Sequence, residues 1–218
     1  MKIGIIGSAQ VGQALASAFL SEGHAVMLGT RNIDKPEVLK FKADNNGVET
    51  GTFEQAAKFG EMLVLATGGL VTESAIKLAG PENFSEKIVI DATNPIAKEP
   101  PVNGVLKYFT DQDDSLMERI QRLLPDAKLV KAFNSVGNAL MYRPGFKGGP
   151  PTMFICGNDE EAKKKVSGIL RSFGWEAEDM GKAESARAIE SLCILWCIPG
   201  FLRGQWTHAF KLLKKINS

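Results

Sequence analysis

Two histidines and three cysteines in 218 residues leave little material for metal or thiol chemistry. Cys156, Cys193 and Cys197 make no disulfide framework, which suits a reducing compartment. With only His24 and His208 beside them, they argue against zinc-dependent alcohol chemistry. Tyrosine is as scarce. Neither Tyr108 nor Tyr142 has a lysine four residues on, so the Tyr-x-x-x-Lys pair of short-chain dehydrogenases is missing. An excess of charge is missing too: 26 basic against 25 acidic residues give a net +1, which argues against nucleic acid or an anionic membrane as the main partner. Long apolar runs are absent. Ser8 and Gln10 interrupt the N-terminal run too early for a signal peptide, and the apolar stretch Leu192 to Leu202 is short and carries Pro199-Gly200. A soluble cytoplasmic protein without a membrane span is expected.

What is present is an alternation of strands and helices. Lys2 to Ile6 reads as a strand buried on both faces. From Val11 to Ser21 the apolar residues follow helical spacing, and Gly23 stops the helix. The strands "HAVMLGT", "EMLVLATGG", "KIVIDATNP", "AKLVKAFNS", "PTMFICG" and "WEAEDMG" then alternate with the helices "FEQAAKFG", "TESAIKLA", "DSLMERIQRLL" and "DEEAKKKVSGILRSFG". This order predicts an α/β fold, a Rossmann-type, doubly wound, mainly parallel sheet over residues 1–183. A C-terminal helical segment, 184–218, would pack on that domain or on a partner subunit. The polar stretch Ile96 to Gln112, with Pro100-Pro101 and Asn103-Gly104, reads as an irregular loop able to cover a site.

Between the first strand and the first helix lies Gly7-Ser8-Ala9-Gln10-Val11-Gly12, a dinucleotide fingerprint whose middle glycine is Ala9. Gly7 permits the tight turn and Gly12 lets the helix lie close to the sheet. The middle position lets backbone amides approach a pyrophosphate, and alanine adds only a methyl, tolerable if φ is negative. The second strand ends in Thr30-Arg31-Asn32, with no carboxylate before Asp34. An acidic residue there would bind the ribose hydroxyls of NAD. Arg31, helped by Thr30 and Lys35, suits a 2′-phosphate instead, so NADP is expected.

The stretches "GIIGSAQVGQALA", "VMLGTRN", "VIDATNP", "LVKAFNS" and "ICGNDEEAKKKVSGILRSFGWEAEDMG" resemble the NADPH:deazaflavin-coenzyme oxidoreductases. That family includes the NADPH-binding domains of six-transmembrane metalloreductases, and the resemblance covers nearly the whole chain. It implies hydride exchange between NADP(H) and a small electron acceptor, with a deazaflavin or flavin as co-substrate. Ser8, Ala9, Gln10 and Val11 match the family's phosphate loop, and Thr30, Arg31 and Lys35 its 2′-phosphate clamp. Thr67 and Gly68 stand where the family often has a proline and a bulky residue, a departure that would widen the cleft. Asn94, Pro95 and Asn134 follow the next two strands, beside the expected nicotinamide position.

Hydride transfer to a flavin-like ring needs position rather than an acid, so no catalytic side chain is singled out. Lys131 and Asn134 superficially match a hydroxyacid-dehydrogenase pair, but residues three apart in a strand point to opposite faces. Cys193 and Cys197 could face each other on a helix, and core packing is the simpler role for them and for the two histidines, His208 being placed on a helix with Trp206 and Phe210 near. Trp196, Phe201 and Trp206 would suit a dimer interface, a lid over a flat acceptor, or a core. Two alternatives stand beside the deazaflavin or flavin reductase. An NADPH-dependent imine or carbonyl reductase would need a long helical dimerisation domain, for which 184–218 leaves little chain. A non-catalytic NADP-binding redox sensor would need only the cleft.

Overall fold

The computed structural model describes residues 1–215. Its main sheet has six parallel strands: β1 (Lys2–Ile6), β2 (Ala25–Thr30), β3 (Val48–Thr52), β4 (Met62–Leu65), β5 (Ile88–Asp91) and β6 (Lys128–Lys131). Their spatial order is β3-β2-β1-β4-β5-β6, so the chain winds outward one way from β1 and the other way from β4. The carboxyl ends of β1 and β4 therefore flank the crevice where such sheets bind ligands. The expected Rossmann-type sheet is present.

Helices cover both faces. They are α1 (Gln10–Ser21), α2 (Pro36–Asp44), α3 (Phe53–Phe59), α4 (Gly69–Ala79), α5 (Leu116–Leu123), α6 (Glu160–Ser172) and α7 (Ala186–Arg203). One core, around Ile3, Ile5, Phe19, Val64 and Phe173, lies on the α1 and α6 side. The other, around Ile6, Leu65, Phe84, Val89 and Met117, lies under α3, α4, α5 and α7. Strands buried on both sides read as continuous apolar runs, which is why β1, β4 and β5 stand out in the sequence. Local signals fix the helix starts: Thr52 and Gln55 form a reciprocal capping box on α3, and Asp159 caps α6.

A second parallel pair, β7 (Thr152–Ile155) and β8 (Glu176–Asp179), joins the edge of β6 through one antiparallel bridge between Lys131 and Cys156. Residues 36–52 carry no pattern strong enough to assign, yet they form α2 and β3. The reason is exposure: α2 buries only Val38 and Phe41, and the edge strand β3 reads Val-Glu-Thr-Gly-Thr. The stretch Ile96 to Gln112 is more regular than expected. It opens with a hairpin in which Ile96 pairs with Tyr108 and Val102 with Val105, around a turn with Asn103 at φ 50° and Gly104 at φ 81°. Two left-handed central residues make a type I′ turn, the tight hairpin turn that Asn-Gly favours.

The helical expectation for 184–218 holds only as far as Arg203. Gly204 adopts φ 65°, its N–H and that of Gln205 bond back to Gly200 and Pro199, and the helix ends. His208 thus lies on no helix. It stacks on Trp196 at 5.0 Å while residues beyond it run back along β7, where the Thr152 N–H donates to the Phe210 carbonyl. By length and composition Ala183–Arg203 would serve as a membrane span, but Glu190 and Trp196 on it are buried within the protein.

Candidate functional site

The crevice holds two connected lobes. One, of about 370 Å³, is lined by the phosphate loop, Thr30, Arg31 and Lys35. The other, of about 490 Å³, runs from the loop past α4 to Ala92, Asn94 and Ile96. Ala9, Gln10, Thr67 and Gly68 border both, so the lobes form one continuous groove over the carboxyl edge of the sheet.

At the groove's centre, Gly7 takes φ 129° and a Cβ there would sit 2.5 Å from the Ala66 carbonyl oxygen. Gly12 is required by close approach, its Cβ position lying 1.9 Å from the Gly7 oxygen. Gly12 is buried beneath the groove and shapes it without lining it. Ala9 has φ −81°, so its methyl costs nothing in backbone strain. It is the N-cap of α1 and supplies no capping side chain, which leaves the first helical amides free for an anion. Gln13 braces the loop by donating to the Ser8 carbonyl at 3.0 Å.

At the tip of β2, Ser8 donates to the Thr30 hydroxyl at 3.0 Å, tying the phosphate loop to the second strand. Arg31 is exposed at the rim of the first lobe. Lys35 stands nearby, weakly paired with Glu37 at 3.7 Å. Two cations and two hydroxyls thus meet at one end of the groove.

At the other end β5 runs out into Ala92-Thr93-Asn94-Pro95. Ala92 and Asn94 line the second lobe, while Pro95 is buried and begins the hairpin, its carbonyl accepting from the Phe109 N–H. Asn134 lies behind the wall and does not line the groove. Its Nδ2 donates to Asn94 Oδ1 at 3.2 Å and to the Ile189 carbonyl at 2.9 Å, and Asn94 Nδ2 returns a bond to the Asn134 carbonyl at 2.8 Å. These bonds fix which end of each amide is which. Asn134 Oδ1 is buried and has no partner among the described residues.

Beneath that wall lies a cluster absent from the expected site. Lys131 is fully buried, its ammonium 2.7 Å from Asp91 Oδ2 and 2.8 Å from Glu190 Oε1, and it donates to the Thr93 carbonyl at 2.9 Å. Burial pulls the lysine down, but the two carboxylates outweigh it and hold its pKa above the usual lysine value. Glu190 also accepts the Leu116 and Met117 amides at 3.0 Å each, capping α5. The expectation that Lys131 and Asn134 face opposite ways fails here. β6 ends at Lys131, and Phe133 at φ 63° turns the chain so that both side chains reach α7. The sequence signal for the cluster was Glu190 itself, the one carboxylate on a mainly apolar helix. Being fully buried, Lys131 cannot touch a substrate.

Residues 2–95 match the family described as NADP oxidoreductase, coenzyme F420-dependent. The F420-dependent NADP reductase of Methanocaldococcus jannaschii is 31% identical over 204 residues, covering 88% of this chain and 89% of that one. A solved structure from Arthrobacter sp. FB24, described as an F420-dependent NADP reductase, superposes with TM-score 0.91 at 32% identity, covering 98% of this chain and 100% of the other. The rat metalloreductase STEAP3 is 30% identical over 206 residues, covering 92% of this chain, which spans only 39% of that protein's length. The chain belongs to the F420-dependent NADP reductase family of NADP-dependent oxidoreductases.

Proposed function

We propose that the protein transfers hydride between NADPH and a flat, flavin-like acceptor, with deazaflavin F420 as the first candidate and a flavin as the second. The observation that carries this is one groove with an uncapped helix N-terminus at its centre, Arg31 and Lys35 at one end, and an asparagine-walled lobe at the other. In this assignment Gly7, Ser8, Ala9, Gln10 and Val11 cradle the pyrophosphate and Gly12 seats the helix. Thr30, Arg31 and Lys35 hold the 2′-phosphate by charge-assisted hydrogen bonds. Thr67 and Gly68 flank the middle of the dinucleotide. Asn94 borders the nicotinamide, positioned from behind by Asn134 and Pro95. When bound, NADPH supplies a hydride and its two electrons, and the acceptor takes up a proton from water. The protein contributes orientation and exclusion of solvent, which suffices for this class of transfer.

The second lobe is open beside Gly68, where an added Cβ would meet nothing within 4 Å, so a broad ring system can stack there. The archaeal relative is an F420-dependent NADP reductase, and this chain spans most of that protein. The deciding experiment is an NADPH-oxidation screen across F420, flavins, quinones, ferric chelates and cyclic imines. Turnover is expected to be fastest with F420 or a flavin. Preference for an imine would establish the imine-reductase alternative, and tight NADPH binding without turnover on any acceptor would establish a sensor.

The same proposal includes a homodimer. Leu195, Phe201 and Leu202 on α7 and Trp206 just beyond it are exposed, as are Val102 and Val105 at the hairpin tip. A second copy covering these residues would keep the protein soluble in the cytoplasm without a membrane span. Light scattering on the purified protein should give twice the chain mass, and a monomer would refute the dimer.

A further inference from the structure

We infer that the buried cluster of Lys131, Asp91 and Glu190 is an electrostatic device that favours the oxidised cofactor. It makes the cleft bind NADP+ more tightly, relative to NADPH, than the cleft alone would. The inference rests on the proposed placement of the nicotinamide in the lobe bordered by Ala92 and Asn94.

The hydrogen-bond inventory fixes the charge of the cluster. Every polar contact of the two acid side chains among the described residues can donate to them. Asp91 Oδ1 accepts from the Thr93 N–H at 2.9 Å and the Thr93 hydroxyl at 2.6 Å, and Oδ2 faces the Lys131 ammonium. Glu190 accepts from two backbone amides and the same ammonium. Each acid meets the ammonium and two further hydrogen-bond donors, the surroundings of an ionised carboxylate, and both are assigned as carboxylates on that geometry. Two carboxylates against one ammonium leave one net negative charge, with Asp91 and Lys131 fully buried and Glu190 1% exposed. A fold that needed only a pin between β5, β6, α5 and α7 would be better served by an apolar residue or a neutral pair, because unbalanced buried charge is costly.

The position of this charge gives it a use. Asp91 directly precedes Ala92, and Lys131 holds the Thr93 carbonyl that directly precedes Asn94. Odd positions of the strand end thus serve the cluster, and even positions border the lobe. The nicotinamide ring is neutral in NADPH and carries a positive charge in NADP+. A fixed anion behind the wall therefore attracts only the oxidised form. By Coulomb's law, a unit charge acting across about 12–15 Å at an effective dielectric of about 20 is worth roughly a fivefold to tenfold preference.

The test is the ratio of the NADP+ and NADPH dissociation constants, measured by calorimetry on the full-length protein and on Glu190→Gln, which removes the excess charge while keeping the shape. The NADP+ constant is expected to rise at least twofold relative to that for NADPH. Binding of adenosine 2′,5′-bisphosphate, which has no ring, is expected to stay unchanged. Asp91→Asn reports the same ratio from the strand side should Glu190→Gln lose its native melting transition. A ratio that moves less than twofold, or in the opposite direction, overturns the inference while leaving the cofactor assignment in place. If the unmodified protein binds neither nucleotide, the assignment itself falls and the inference with it.

Discussion

At the scale of single residues, Ala9 and Gly12 look alike in the sequence and differ completely in the structure. Ala9 has an ordinary φ of −81° and is exposed, so Ala9→Gly should change NADPH affinity less than about threefold. Gly12 has no room for a methyl group, since its Cβ position lies 1.9 Å from the Gly7 oxygen. Gly12→Ala must push α1 from the sheet, at a cost of about 1–3 kcal/mol typical of overpacking, read as a lower midpoint in urea. Arg31 presents the complementary case of a side chain with no structural duty. Arg31→Asp should weaken NADPH binding by more than tenfold and leave NADH within about threefold, because only the 2′-phosphate meets the reversed charge. Unchanged NADPH affinity in that variant would remove the 2′-phosphate assignment. These residues were legible in the sequence because their chemistry depends on neighbours within one strand-turn-helix unit. Asp91, Lys131 and Glu190 were not, because the cluster joins residues from three distant elements and nothing local marks Asp91 or Lys131 as buried.

At the scale of elements, legibility followed burial. β1, β4, β5 and β6 are buried on both faces and announce themselves as apolar runs, whereas α2 and β3 lie at the sheet's edge and do not. The hairpin from Ile96 to Tyr108 shows a different limit. Its Asn103-Gly104 signal was present, but the flanking prolines and polar residues pointed to irregularity, and what orders the hairpin is tertiary. Tyr108 donates to the Glu190 carbonyl at 2.6 Å, and a Cβ on Gly104 would stand 2.9 Å from Leu202 of α7. The hairpin is therefore a fixed wall of the second lobe rather than a free flap. Gly104→Val should cost roughly 1–2 kcal/mol from the left-handed φ alone, with the Leu202 clash adding to it. A fall of about 3–8 °C in melting temperature is expected, with faster proteolysis between residues 98 and 108. An unaltered melting temperature would show that the turn is not under constraint.

At the scale of the whole molecule, the buried ionisable groups set how stability depends on pH, and they act mainly on the alkaline side. Burial pushes the Cys156 thiol up from 9.0 to about 12. Burial also raises the Tyr108 phenol, and Asp91 and Glu190 raise Lys131 despite its burial. Each of these groups holds its proton more tightly folded than unfolded. The stability they contribute is therefore complete below the unfolded thiol value of about 8.5–9 and is lost as pH rises toward the folded values. Cys193 and Cys197 share one hydrogen bond that lowers the first thiol and raises the second, so the pair brings no net offset to this loss. On the acid side the groups are His24, which burial and the amino terminus hold below the usual imidazole value so that it costs stability as pH falls below about 6.5, and two carboxylates. Arg187 lowers Glu118, and Arg119 and Arg122 lower Asp114 against the opposing effect of burial. Their contribution is complete above about pH 4–4.5 and fades as pH falls through the depressed folded values. The melting temperature should thus be level from about pH 7 to 8.5, decline slightly below about pH 6.5 and further below pH 4, and fall more steeply above pH 9. Scanning calorimetry of the protein without nucleotide, at constant ionic strength, reads this directly. Cys156→Ala should lower the plateau through the space it leaves and delay the alkaline decline, because the group that begins it is gone. A wild-type melting temperature at pH 10.5 equal to that at pH 8 would show that these protons are not bound more tightly in the folded state.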